Sequence, residues 1–151
     1  MANEHLDEAV ELLISIPPTM LRKLHRDVFK TVFEQAGADM APHHMIIMKV
    51  LQESGPLHVT EIAEELAIAK PQMTHSTDKL ISLGMIERQP DKQDRRKINI
   101  KLTTKGRETI EKLQQIMRDR MKEKLSFLTD DDLERLAASL RNMADIFAKV
   151  Q

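Results

Sequence analysis

The 151-residue sequence contains no cysteine. Disulfides, thiol nucleophiles, redox-sensing thiols and cysteine-based zinc sites are therefore excluded. Tryptophan and tyrosine are also missing, which leaves four phenylalanines as the aromatic set. Stacking platforms that grip single-stranded nucleic acid need more than that. Four glycines and six prolines are too few for a loop-rich or all-β chain. No apolar run approaches the roughly 18 residues of a membrane span. The first residues show no basic region followed by an apolar stretch, so no signal peptide is expected. With the missing cysteine, this suits a cytoplasmic protein with no membrane partner.

Leu, Ile, Met, Ala, Glu and Lys dominate, and all are compatible with helix. Charged residues make up 31% and apolar residues 41%. The length suits one domain with a real core, or one domain with an appendage. The net charge of −1 conceals an uneven distribution. Residues 1–21 and 50–69 each hold four acids and no Lys or Arg. Residues 86–107 hold eight Lys and Arg against three acids. A phosphate backbone meets a local patch, not a net charge.

Apolar spacing predicts helix over 1–36, with Leu6, Val10, Leu13, Leu21, Leu24, Val28 and Val32 as its stripe. Pro17-Pro18 should split it into two pieces or kink it sharply. A second helix is expected from Pro42 to Ser54, ended by Gly55-Pro56. A short helix from Thr60 to Leu66 follows, with Thr60 as its N-cap. After a turn at Ala67-Ile68-Ala69, another helix runs from about Pro71 to Gly84. Met85–Arg88 and Ile98–Leu102 read as two short strands around a polar tip, Asp91–Lys97. A long helix is expected from Thr103 or Thr104 to about Leu128. Thr129 caps a last helix whose Leu133, Leu136, Leu140, Met143, Phe147 and Val150 form an a/d seam. The fold class is thus mainly α with a small β-hairpin wing. The expected division is a helical part at 1–36, a DNA-binding domain at 42–103 and C-terminal helices at 104–151.

Between Val59 and Leu80 the spacing is that of a helix-turn-helix. Ile62, Ala63, Leu66, Ile68, Met73 and Leu80 pack inward. The second helix then offers Lys70, Gln72, Thr74, His75 and Asp78 as a polar face. Gln can bond adenine through two hydrogen bonds, and Lys, Thr and His can reach base edges or phosphates. The hairpin tip adds Lys92, Arg95, Arg96 and Lys97, sized to reach a minor groove. Asp94 beside two arginines is expected to brace one of them by ion pairing. His43-His44 is expected to be a surface pair rather than a metal site. His5 and His58 show no motif. No phosphate-binding glycine loop, nucleophile elbow or two-histidine metal helix occurs, so neither an enzyme nor a cofactor is expected.

Asp91-x-x-Asp94-Arg95-Arg96 followed by Leu102-Thr103-x-x-Gly106 resembles the wing signature of MarR-type winged-helix transcriptional regulators. Leu80-x-x-x-Gly84-Met85-Ile86-x-Arg88 fits the same family, and the resemblance runs along essentially the whole chain. Lys70 departs from it, since many members carry a small polar cap before the proline of that helix. The resemblance implies a homodimer on double-stranded DNA, with the N-terminal and last two helices interlocked. The 133–150 seam and the stripe Ile110, Leu113, Met117, Met121 and Leu125 agree in needing partners. Two-fold symmetry would present two reading helices to a pseudo-palindromic site. The resemblance also implies a small phenolic or lipophilic effector. Its candidate neighbours are Arg22, Lys23, His25, Arg26, His43, His44, Ile47 and Met48. Some zinc-sensing relatives use the His43-His44 position, but no histidine follows His75 to complete such a site. The alternative function is a winged-helix module that binds protein and has no operator specificity.

Overall fold

The computed structural model describes the backbone of residues 2–150; side chains of residues 2–4, 18, 21, 25 and 26 lie outside the described set. Helix α1 spans Ala2–Ala36 without interruption. The expected break at Pro17-Pro18 does not occur. The two prolines leave the Leu13 and Ile14 carbonyls without intrahelical donors. Both residues are exposed, so water can serve those carbonyls at little cost. Nearby, the Ser15 and Thr19 hydroxyls donate to the Glu11 and Ser15 carbonyls at 2.8 and 3.3 Å.

Helix α2 spans Pro42–Ser54, as its proline and glycine signals predict. Strand β1, Leu57–His58, leads into helix α3, Val59–Glu65. A two-residue strand carries no periodicity, and β1 was not expected. The cap of α3 is His58, not Thr60. Its Nδ1 accepts the Thr60 N–H at 3.2 Å, and Glu61 Oε2 accepts the His58 N–H at 2.8 Å. This reciprocal box moves the helix start one residue earlier than expected.

Helix α4 spans Lys70–Ser82. The α3–α4 turn closes through Ile68 N–H to the Ala63 carbonyl at 2.9 Å, with Ala67 at φ 51°. Strands β2, Ile86–Pro90, and β3, Ile98–Leu102, pair from Ile86↔Leu102 to Pro90↔Ile98. The sheet is antiparallel in the order β1-β3-β2. The expected hairpin is therefore a three-stranded sheet.

The core joins these elements through Ile47, Met48, Ile62, Met73, Leu80, Ile86, Ile100, Ile110 and Leu113, all fully buried. Each such side chain contributes roughly 1.5–3 kcal/mol. Ile110 and Leu113 are thus covered within the chain and need no partner, contrary to the expectation for that stripe.

Helix α5 spans Thr104–Leu125 and ends before the expected Leu128. Helix α6 spans Asp130–Phe147, where Thr129 Oγ1 accepts the Asp132 N–H at 3.2 Å. Val150 lies beyond its end, so the seam closes at Phe147. By compactness, His25–Met117 forms one unit, and Met1–Leu24 with Arg118–Gln151 forms another. Helices α1 and α5 each contribute to both units.

Candidate nucleic-acid interface

Helix α4 turns Met73, Ser76, Thr77 and Leu80 into the core. Lys70, Gln72, Thr74, His75 and Asp78 are all exposed, as the polar face required. Lys70 is the first helical residue, and the N-cap position is Ala69, whose side chain caps nothing. It is Ala69 rather than Lys70 that leaves the N-terminus of α4 without a side-chain cap. The Thr74 hydroxyl donates back to the Lys70 carbonyl at 3.0 Å. Asp78 Oδ1 takes Arg88 at 3.2 Å, which ties α4 to β2. Asp78 is thus engaged with the protein, whereas the Gln72 and His75 side chains make no hydrogen bond or ion pair among the described residues.

The hairpin tip is built on two carboxylates. Asp91 Oδ1 accepts the Gln93 and Asp94 N–H groups at 2.8 and 2.9 Å. Asp91 Oδ2 accepts from Asn99 Nδ2 at 3.0 Å. Those bonds, the Asp94 amide first, hold the Asp91 carboxyl below its usual range. Asp94 Oδ1 accepts the Arg96 N–H at 3.0 Å, and the Asp94 carbonyl accepts the Lys97 N–H at 2.9 Å. Asp94 therefore shapes the turn through the backbone and forms no ion pair with either arginine. A short loop leaves backbone donors unsatisfied, and the nearest carboxylate serves them first. Lys92, Arg95, Arg96 and Lys97 are exposed and make no ion pair or side-chain hydrogen bond among the described residues.

A second tie reaches α4 from the α1–α2 connector. Lys79 Nζ donates to Asp39 Oδ2 at 2.6 Å and lowers the Asp39 pKa. Beside it, His44 is only 6% exposed, so the expected surface pair with His43 is half wrong. His44 Nδ1 accepts the Ala41 N–H at 3.0 Å, which closes the start of α2. The rings of His43 and His44 lie 4.1 Å apart. Burial first, and then His43, Lys79 and His75, push the His44 pKa down to about 4. The ring is therefore neutral, with its hydrogen on Nε2. No group of three metal-ligating side chains occurs among the described residues.

The other effector candidates are scattered in character. Ile47 and Met48 are 0% exposed and belong to the core. Arg22 and Lys23 are exposed, and His43 is half-buried. The side chains of His25 and Arg26 lie outside the described residues. An open cavity of about 550 Å³ lies elsewhere, against α4, lined by His58, Thr60, Lys70, Thr74, Thr77 and Arg88 among others. Sequence reasoning missed the roles of His58, Asp91, Asn99 and Lys79. The one available signal was Glu61 three residues after His58, the spacing of a capping box.

Two short helices joined by a tight turn, followed by a β-hairpin with a cationic tip, define a winged helix-turn-helix protein. Residues 42–98 match the model of the MarR family. The chain is 26% identical over 132 residues to the uncharacterized HTH-type transcriptional regulator YpoP of Bacillus subtilis (strain 168), covering 87% of this chain and 89% of that one. It is 26% identical to the HTH-type transcriptional repressor MdtR of the same organism, covering 78% and 74%. In fold it is similar to a MarR family protein from Bacillus stearothermophilus, with a TM-score of 0.77, 19% identity and 99% of both chains covered. No helix among the described residues is long and apolar enough to cross a membrane.

Proposed function

We propose that the protein is a cytoplasmic, homodimeric repressor without catalytic activity. It reads a pseudo-palindromic operator through two copies of α4 and two wings, and releases it on binding a small lipophilic or phenolic effector. One observation carries the reading: four exposed wing cations that make no ion pair or side-chain hydrogen bond among the described residues stand on the same domain as a helix whose polar face is exposed. An N-terminus free of a side-chain cap also suits a phosphate. Gln72, Thr74 and His75 are assigned to bases, and Lys70 to bases or phosphates. Lys92 and Lys97 are assigned to phosphates, and Arg95 or Arg96 to the minor groove.

Dimerisation is supported by the apolar surface that one chain leaves bare. Leu6, Val10 and Leu13 of α1 and Leu140, Met143 and Phe147 of α6 are between 43% and 59% exposed. Repression is supported by the repressor named among the relatives. For the effector, Arg22, Lys23 and His43 are the candidates whose described side chains reach the surface.

The test is selection of bound double-stranded DNA from a random pool, repeated with candidate phenolic and lipophilic effectors. Enrichment of an inverted repeat, lost on adding an effector, is expected. A pool that stays random would leave the protein-binding module as the better reading.

A further inference from the structure

The exit of helix α4 is completed by the first residues of α5. Gly84 takes φ 73°, its N–H bonds the Ile81 carbonyl, and the Met85 N–H bonds the Leu80 carbonyl, both at 2.9 Å. This left-handed turn ends the helix and leaves three successive carbonyls to be satisfied elsewhere. Lys105 Nζ donates to the Leu83 carbonyl at 2.8 Å. Thr103 Oγ1 donates to the Gly84 carbonyl at 2.6 Å. The Thr103 N–H donates to the Met85 carbonyl at 3.0 Å. Thr103 Oγ1 also accepts the Gly106 N–H at 2.9 Å, which caps α5. A single hydroxyl therefore finishes α4 and starts α5. Gly106 makes room for the junction, since a Cβ there would lie 1.9 Å from the Met85 oxygen.

We propose that Thr103 and Lys105 are positioning residues that set operator selectivity through α4 rather than by touching DNA. They clamp the C-terminal end of α4 to α5, so that a shift of α5 is passed to the reading helix. The assignment rests on the DNA-reading function proposed above. Leverage makes it consequential. A helix of 13 residues is about 20 Å long, so a tilt of about 5° at one end moves the other by about 1.7 Å. That exceeds the tolerance of a base-edge hydrogen bond, and Gln72, Thr74 and His75 all lie toward the far end.

The test compares Thr103→Val, Thr103→Ser and Lys105→Met in the full chain. Each is titrated with the site that the wild type selects and with random DNA, over a salt series. Thr103→Val should lower the ratio of selected-site to random affinity about ten-fold, and Lys105→Met about three-fold. Thr103→Ser, which keeps the hydroxyl, should stay within about two-fold of the wild type. Random-DNA affinity and its salt slope should not change. A phosphate contact by Lys105 would instead weaken both DNAs alike and lower the slope by about one. That result would overturn the proposal, as would wild-type ratios in both Thr103→Val and Lys105→Met. Lys105 is exposed, so its variant decides the matter should Thr103→Val not fold. A wild type that selects no site would remove the DNA reading and this assignment together. A wild type that selects one, with unaltered ratios in the variants, would remove the assignment alone.

Discussion

Single residues in this protein carry tasks that their neighbours in sequence do not announce. His44 is the clearest case. Its ring must be neutral in the folded chain, because its pKa lies near 4 against an ordinary 6.5. A base whose pKa falls on folding stabilises the fold fully above 6.5, and that contribution is lost as pH drops toward 4. The gap is worth on the order of 3 kcal/mol, at about 1.4 kcal/mol per pH unit. Urea midpoints at pH 7, 5.5 and 4.5 should therefore fall. His44→Asn, which keeps an acceptor for the Ala41 N–H, should fall less steeply. Parallel curves would assign the acid sensitivity to other groups. Arg96 is the opposite kind of residue, exposed and with no side-chain partner among the described residues. Arg96→Ala should leave the unfolding transition in place and weaken operator binding roughly ten- to a hundred-fold, since a charge-assisted contact is worth about 1.5–3 kcal/mol. Arg95→Ala is the paired measurement. Unchanged affinity in both would take the wing out of the interface.

At the scale of elements, the proposed function divides the reading of DNA between α4 and the wing. Base contacts specify and phosphate contacts position. Gln72→Ala should lower the ratio of operator to random affinity and leave the salt slope nearly intact. Lys97→Ala should weaken both DNAs alike and reduce the slope by about one. Anisotropy titrations over a salt series measure both quantities. Equal weakening of both DNAs by Gln72→Ala would make α4 a backbone clamp rather than a reader. The tip of the wing is shaped by carboxylates that serve its backbone amides. Asp91 and Asp94 close the tip, and the side chains of Lys92, Arg95, Arg96 and Lys97 make no ion pair or hydrogen bond among the described residues.

For the whole molecule, the uneven charge and the bare apolar surface act together. Acid-rich stretches at 1–21 and 50–69 contrast with the cationic tip of the wing, and on the proposed function the wing and α4 face the duplex. The apolar residues of α1 and α6 need cover of another kind. Sedimentation at micromolar concentration should give a dimer, and Leu140→Glu should shift it toward smaller species. A folded wild-type monomer at that concentration would contradict the dimeric reading.

The sequence by itself determined the helical class, the limits of α2, the α3–α4 turn, β3 and the Thr129 cap. These rest on local signals, such as helical spacing, proline at a helix start and alternation along a strand, which neighbouring residues suffice to express. It also determined which residues of α4 stay exposed, because burying Met73 and Leu80 at helical spacing fixes the opposite face. Tertiary structure alone decided the rest. The proline pair did not break α1, and the residues that own the orphaned carbonyls, Leu13 and Ile14, are exposed, a matter of position in the molecule rather than of residue type. Strand β1 exists only because β3 offers it an edge. The Asp94 carboxylate serves the Arg96 amide instead of an arginine side chain because the folded turn brings that amide within reach. His44 is buried, and Lys79, Thr103 and Lys105 are engaged, by partners distant along the chain. Lys79 lies 40 residues from Asp39, and Lys105 lies 22 from Leu83. No local pattern encodes such pairings, since they form only when the core has set the elements side by side.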